Sequence, residues 1–224
     1  MRIDILTVVP ELLQSPLDFS IVKRAREKGR VEIFVHNLRD YAENKYKQVD
    51  DYPYGGGAGM VIMPGPLAAC IESLQSQRDY QEVIFMTPDG EPTTQGRVNR
   101  LSLLENIMII SGHYKGIDQR IRDKYVSLEL GIGDFVVTGG ELPTAMLVDG
   151  IVRLLPGVIG NEESALNDTF QDGLIAPPVY TRPADFKGMK VPDVLLSGDF
   201  KKIEDWRMEQ SELLTQQKRP DLLK

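Results

Sequence analysis

The sequence predicts an α/β protein built on a mostly parallel sheet, followed by a small, mainly helical C-terminal domain. Three observations carry this expectation. Short runs rich in β-branched residues alternate with segments of helical periodicity, the pattern of successive strand–helix units. The run "NIMIISG" (106–112) is continuously apolar, as a strand covered on both faces must be. After Pro156 the apolar runs give way to a polar, glycine-ended stretch, "NEESALNDTFQDG" (161–173), and then to amphipathic sequence. The expected organisation is a first domain at 1–160, a linker at 161–176 and a small domain at 177–224.

Taken in order, residues 3–9 read as a strand stopped by Pro10. "DFSIVKRAREKG" reads as a helix with Phe19, Ile21, Val22 and Ala25 on one side and Gly29 as its stop. "VEIFVHNL" (31–38) alternates and reads as a strand. "YAENKYKQVDDYPYGGGAGM" is a polar loop with a glycine cluster, and 66–77 is a helix entered through Pro64 and Pro66. "EVIFMT" (82–87) is a strand followed by the turn "PDGEP"; 94–103 is helical. After the 106–112 strand come a short helix in "GIDQRIRDK", the strand "YVSLEL", and a short strand in "FVVT". "LPTAMLVDGIVRLL" (142–155) is a long apolar helix, and residues 183–224 are mainly helical.

The 224 residues are 42% hydrophobic, enough to build a core, and no apolar run approaches the length of a membrane span. The N-terminus lacks the pattern of a signal peptide. Cys70, in "LAAC", is the single cysteine, so it reads as a core thiol of a cytoplasmic protein. With only His36 and His113 beside it, a His/Cys metal site is not expected. The net charge of −7 argues against indiscriminate nucleic-acid binding. The acid is concentrated in residues 51–181, with 8 Lys/Arg against 17 Asp/Glu. A polyanion would have to be held by local clusters such as "KRAREKGR" (23–30).

Three glycine-bearing turns follow apolar strands: "MTPDG", "SGHYKG" and "GIGDF". In an open parallel sheet such turns meet at the carboxyl ends of the strands, where ligands bind. No G-x-G-x-x-G follows the first strand, and there is no Walker A lysine, so neither a standard dinucleotide site nor a P-loop is expected. The expected ligand is nucleoside-like, held by main-chain groups between apolar walls from Ile132, Phe135 and Val137.

Read together, "DDYPYGGGAGM" (50–60), "SGHYKGIDQRI" (111–121), "IGDFVVTGGELP" (132–143), "LPGVIG" (155–160), "YTRP" (180–183) and "VPDVLLSGDF" (191–200) resemble the bacterial tRNA (guanine-N1)-methyltransferases, nearly end to end. The resemblance implies the knotted SPOUT-class α/β methyltransferase fold, with a deep trefoil knot toward the C-terminal side of the sheet. It implies a homodimer with composite active sites, with S-adenosylmethionine as methyl donor. The acceptor would be N1 of guanosine 37 of tRNA, beside the anticodon, when the preceding base is also guanosine. Magnesium is compatible with the resemblance but is not readable from the residues.

Carried over residue by residue, the donor site would comprise Phe85, Met86 and Pro88, then Gly112, Tyr114 and Gly116, then Ile132, Gly133, Asp134, Phe135, Val136 and Val137, with Gly139 and Gly140 closing the bend. Asp168 matches the general base and Arg153 the arginine that assists it. Asp50, Gly59 and Ser164 match positions near the target guanines. Two positions depart from the pattern: the family is usually acidic where Lys115 and Gln119 stand. Two other readings stand beside this one. One is an RNA-binding module with a vestigial pocket, suggested by those departures. The other is a nucleotide-dependent small-molecule enzyme, suggested by the acidic middle.

Overall fold

A strand buried on both faces needs apolar side chains at every position, and the central strands satisfy this by alternation between two cores. The computed structural model describes residues 1–160 and 168–223. In chain order, β1 (Arg2–Thr7), α1 (Glu11–Leu17), α2 (Ser20–Glu27) and β2 (Glu32–Asn37) come first. A small hairpin of β3 (Asp50–Asp51) and β4 (Val61–Ile62) leads into α3 (Pro64–Gln75). Then follow β5 (Glu82–Pro92), α4 (Gln95–Ser102), β6 (Asn106–Ser111), α5 (Gln119–Tyr125), β7 (Leu128–Gly131) and α6 (Glu141–Val152).

The five long strands form one sheet in the order β2-β1-β6-β5-β7, and every pairing is parallel. Ile3 and Ile5 of β1, Ile84 and Met86 of β5, and Ile107 and Ile109 of β6 enter one core, with α1, α2, α4 and α6. Leu6, Val83, Phe85, Met108 and Ile110 point the other way, into a second core with α3 and α5. Cys70 of α3 is fully buried there, and burial pushes its thiol up to about 12.

Asp4 is the polar exception on β1. It is fully buried, yet Arg2 grips it through two hydrogen bonds of 2.7 and 2.9 Å. His36 Nε2 lies 2.7 Å away, and the Tyr80 hydroxyl donates at 2.8 Å. Burial pushes this carboxyl up, but the hydrogen bonds from His36, Arg2 and Tyr80 outweigh it and hold it at about 2.

Residues 11–17, which the sequence left unassigned, form α1, although Pro16 sits inside it. Three sequence expectations are corrected. "PDGEP" is not a turn beyond a finished strand. β5 continues to Pro92 through a register shift between Met86 and Glu91, and its Gly90 lies against the β7 backbone. The "YVSLEL" strand begins only at Leu128, because Tyr125 ends α5. Phe135–Val137 is neither strand nor buried: its three side chains are all exposed, Val136 at 81%.

The chain divides into two compact units, Met1–Gly160 and Asn161–Lys224. The second holds a hairpin, β8 (Asp185–Phe186) with β9 (Met189–Lys190), then α7 (Asp193–Leu196) and α8 (Phe200–Lys218). The hairpin turn puts both Lys187 and Gly188 at positive φ. Lysine is an unusual residue there, which hid the hairpin from the sequence reading. Among the described residues of this unit only Ser211 and Thr215 are buried. Thr215 accepts from the Ile175 N–H at 2.8 Å, tying the extended segment to α8.

Candidate functional site

The C-terminal ends of β5, β6 and β7 converge on a cavity of about 400 Å³. That lies within the roughly 300–1,000 Å³ of small-molecule clefts, and it sits where ligands bind open parallel sheets. The segment after β7 completes it. That segment starts beside β5 and ends against β6, where the Gly140 N–H donates to the Gly112 carbonyl and His113 bridges to Gly139.

The turn after β6 forms one wall. Tyr114 at φ +58° and Gly116 at φ +111° are both left-handed, so the chain reverses within four residues. This turn is pinned to the glycine-rich loop. The Lys115 N–H donates to the Met60 carbonyl at 2.9 Å, and the Ile62 N–H to the Gly116 carbonyl at 3.0 Å. Gly59, at φ +97°, sits directly under the Lys115 side chain: a Cβ there would fall 2.9 Å from Lys115 Cγ.

The glycines of "TGGE" close the bend against the end of β6. A Cβ on Gly140 would lie 2.6 Å from the Gly112 backbone nitrogen, although its φ of −77° suits any residue. A Cβ on Gly139 would meet the side chains of Glu141 and His113. These two glycines admit close packing of the chain on itself, which leaves their main-chain groups at the edge of the cavity.

Behind this wall lies a buried polar cluster. Glu141, 1% exposed in the first turn of α6, accepts a 2.7 Å hydrogen bond from the Thr7 hydroxyl and sits 3.3 Å from His113 Nδ1. A carboxylate suits that helix end electrostatically. Ser111 and Thr144 share a further hydrogen bond of 2.8 Å. On the opposite wall Arg122 binds Glu129 through two bonds, of 2.8 and 2.6 Å, and Asp89 at 2.9 Å. Its guanidinium also stands 5.2 Å from the centre of the Phe85 ring. The Thr87 hydroxyl and Arg122 both hold the Asp89 carboxyl below its ordinary value.

Most of the residues expected at a donor site line this cavity: Phe85, Met86, Pro88, Gly112, Tyr114, Gly116, Ile132, Phe135, Val136, Val137, Gly139 and Gly140. Gly133 and Asp134 do not. Gly133, at φ +146°, bends the segment so that the Phe135 ring folds back beside it. Thr87, Asp89, His113 and Lys115 also line the cavity and lay unassigned inside turns already quoted. Arg122 carried no motif signal at all; only the fold of α5 brings it to the rim.

Of the expected tRNA positions, Asp50 is half-buried in β3, opposite Ile62, and Gly59 lies under Lys115. Ser164 lies outside the described residues. Arg153 caps the C-terminus of α6 in the first unit, half-buried, its N–H bonded to the Asp149 carbonyl. Asp168 belongs to the second unit, where it lines a cavity of about 910 Å³ with Tyr180, Arg182 and Arg207. Among the described residues, no group of three or more His, Cys, Asp or Glu is arranged to hold a metal, and no helix is long and apolar enough to cross a membrane.

A family profile described as "tRNA (Guanine-1)-methyltransferase TrmD" matches residues 1–224. The chain belongs to this family. Curated relatives named tRNA (guanine-N(1)-)-methyltransferase agree along the whole length. That of Christiangramia forsetii is 59% identical over 223 residues, covering 100% of this chain and 99% of the relative. Those of Flavobacterium psychrophilum and Bacteroides thetaiotaomicron are each 57% identical with the same coverage.

Proposed function

We propose that the protein transfers the methyl group of S-adenosylmethionine to N1 of guanosine 37 in tRNA, acting as a knotted homodimer. The observation that carries this reading is the cavity at the ends of β5, β6 and β7, lined by twelve of the fourteen residues expected around a donor. Its fit to the donor is chemical as well as positional. Leu130, Ile132 and the Phe85 ring offer apolar walls, and the turns after β5 and β6 offer main-chain groups. A nucleoside needs both.

The donor supplies an activated methyl group on a sulfonium; the protein's task is to prepare the acceptor. N1 of guanine bears a proton at neutral pH, so its lone pair is not free to attack. In this reading the Asp168 carboxylate accepts that proton as N1 takes the methyl group, acting as general base. Arg153 stabilises the negative charge that grows on the guanine O6 as the proton leaves, since a guanidinium is a permanent cation. The charges balance: the sulfonium becomes a neutral sulfide, the proton passes to Asp168, and the methylated base gains the methyl group in its place.

Asp50, Gly59 and Ser164 are assigned to the neighbourhood of the target guanines. The hydrogen bonds that tie Met60 and Ile62 to the cavity turn support this for Gly59, on the same loop, and for Asp50, which pairs with Ile62. The knot is supported by the path of residues 132–140 across the end of β5 to β6 before α6 begins. The homodimer is supported by apolar side chains left exposed around the cavity: Phe135, Val136, and Leu142 with Met146 one turn apart on α6. In such a dimer the second unit of one chain would bring Asp168 to the cavity of the other.

The test is transfer of labelled methyl from S-adenosylmethionine to tRNA transcripts. Transfer to a transcript with guanosine at 36 and 37, lost when position 37 is changed, is the expected result. Transfer that survives that change, or no transfer by folded protein, would overturn the reading.

A further inference from the structure

Two permanent cations, Arg122 and Lys115, and one histidine, His113, line the cavity, and two of the three are already engaged. Arg122 is held by Glu129 and Asp89, and His113 faces Glu141. Lys115 has no hydrogen bond or ion pair for its ammonium among the described residues. Its position is nevertheless fixed. Its backbone sits between two left-handed residues, its N–H is bonded to Met60, and its stem crosses Gly59 so closely that any side chain at 59 would displace it. A positioned, unpartnered cation on a cavity rim is built to receive an anion.

The donor proposed above carries a neutral adenosine, a sulfonium, an ammonium and one negative group, its α-carboxylate. The one carboxylate side chain lining the cavity, that of Asp89, is committed to Arg122 and Thr87. Resting on that reading of the cavity, we propose that Lys115 binds the α-carboxylate of the methyl donor and so orients its amino-acid arm. The ammonium donates to a carboxylate oxygen, and the Gly59 surface beneath the stem keeps the lysine directed along the rim. This gives the lysine that departs from the family pattern a defined role as a donor-binding residue.

The experiment is calorimetry with two probes that share the adenosine part. S-adenosylhomocysteine carries the amino-acid arm; 5′-methylthioadenosine does not. Lys115→Met keeps the apolar stem and removes the charge. It is expected to weaken S-adenosylhomocysteine about two- to fivefold, the scale of a solvent-exposed ion pair, and to leave 5′-methylthioadenosine unchanged. Lys115→Arg should restore part of the loss, and added salt should narrow the difference between wild type and Lys115→Met. Equal weakening of both probes would show damage to the cavity and overturn the proposal. So would an unchanged affinity for S-adenosylhomocysteine, or a loss confined to tRNA in a filter-binding assay, which would make the lysine a phosphate contact. Failure of the wild-type protein to bind either adenosine probe would instead sink the donor assignment itself.

Discussion

Adding one methyl group at Gly140 separates two explanations of the glycine pair. The backbone at Gly140 has φ −77°, so alanine meets no conformational penalty there. Its Cβ would lie 2.6 Å from Gly112 N, 3.0 Å from Ser111 Cα and 3.1 Å from Gly112 O. Ordinary contact begins near 3.4 Å, so the entrance to α6 and the end of β6 must part by about 0.8 Å. That separation breaks the hydrogen bond from Gly140 N–H to the Gly112 carbonyl, worth about 0.5–1.5 kcal/mol. The displaced packing adds about 1–3 kcal/mol. Gly140→Ala is therefore expected to lose about 2–4 kcal/mol, or about 5–15 °C of melting temperature for a unit of this size. Gly116→Ala provides the comparison. Its Cβ meets open space and its φ of +111° carries the whole penalty, so it should cost about 1–2 kcal/mol. Thermal melts of the ligand-free proteins decide the matter. A Gly140→Ala protein as stable as wild type, with donor affinity nonetheless lost, would show that the glycine faces a ligand and refute the packing argument.

Three further outcomes are expected. Asp168→Asn should keep its affinity for S-adenosylhomocysteine and lower the single-turnover rate by roughly 10²–10⁴-fold, with Arg153→Ala acting on the same step and the double variant falling short of additivity; quench-flow at saturating tRNA and donor measures it. Mixing Asp168→Ala protein with Gly116→Val protein, whose branched side chain opposes the φ of +111° in the cavity turn, should restore part of the activity through heterodimers, and inactivity despite demonstrated subunit exchange would confine each site to one chain. Asp4 has its folded value depressed to about 2 from an ordinary 3.8, so its contribution is complete above about pH 4 and is lost as the pH falls toward 2. Asp4→Asn should therefore cost roughly 2 kcal/mol at pH 7 in urea unfolding, and the gap to wild type should narrow on acidification.

The sequence by itself determined the layered α/β character. Continuous apolar runs such as 106–111 can be buried only between two layers of helices, and alternation along β1, β5 and β6 delivers their side chains to both cores. It determined which turns would meet, because parallel strands carry their C-terminal turns to one edge. Cys70 in its apolar helix was legible for the same local reason. The motifs carried the family. Tertiary structure decided the rest, and each case involves residues distant in sequence. Three apolar residues between glycines suit an exposed loop or a strand equally, and among the described residues no strand pairs with Phe135–Val137, whose side chains are exposed. The return of the chain to Gly112 sets Gly140 against backbone and Gly139 against the side chains of Glu141 and His113, contacts that the sequence does not show. Thr7 and Glu141 lie 134 positions apart, and no window of sequence contains their hydrogen bond. Lys115 gains its place from Gly59, on a loop that reads alone as polar and irregular. Local propensity and periodicity act within about ten residues, whereas a site is made where the order of the strands brings separate turns together.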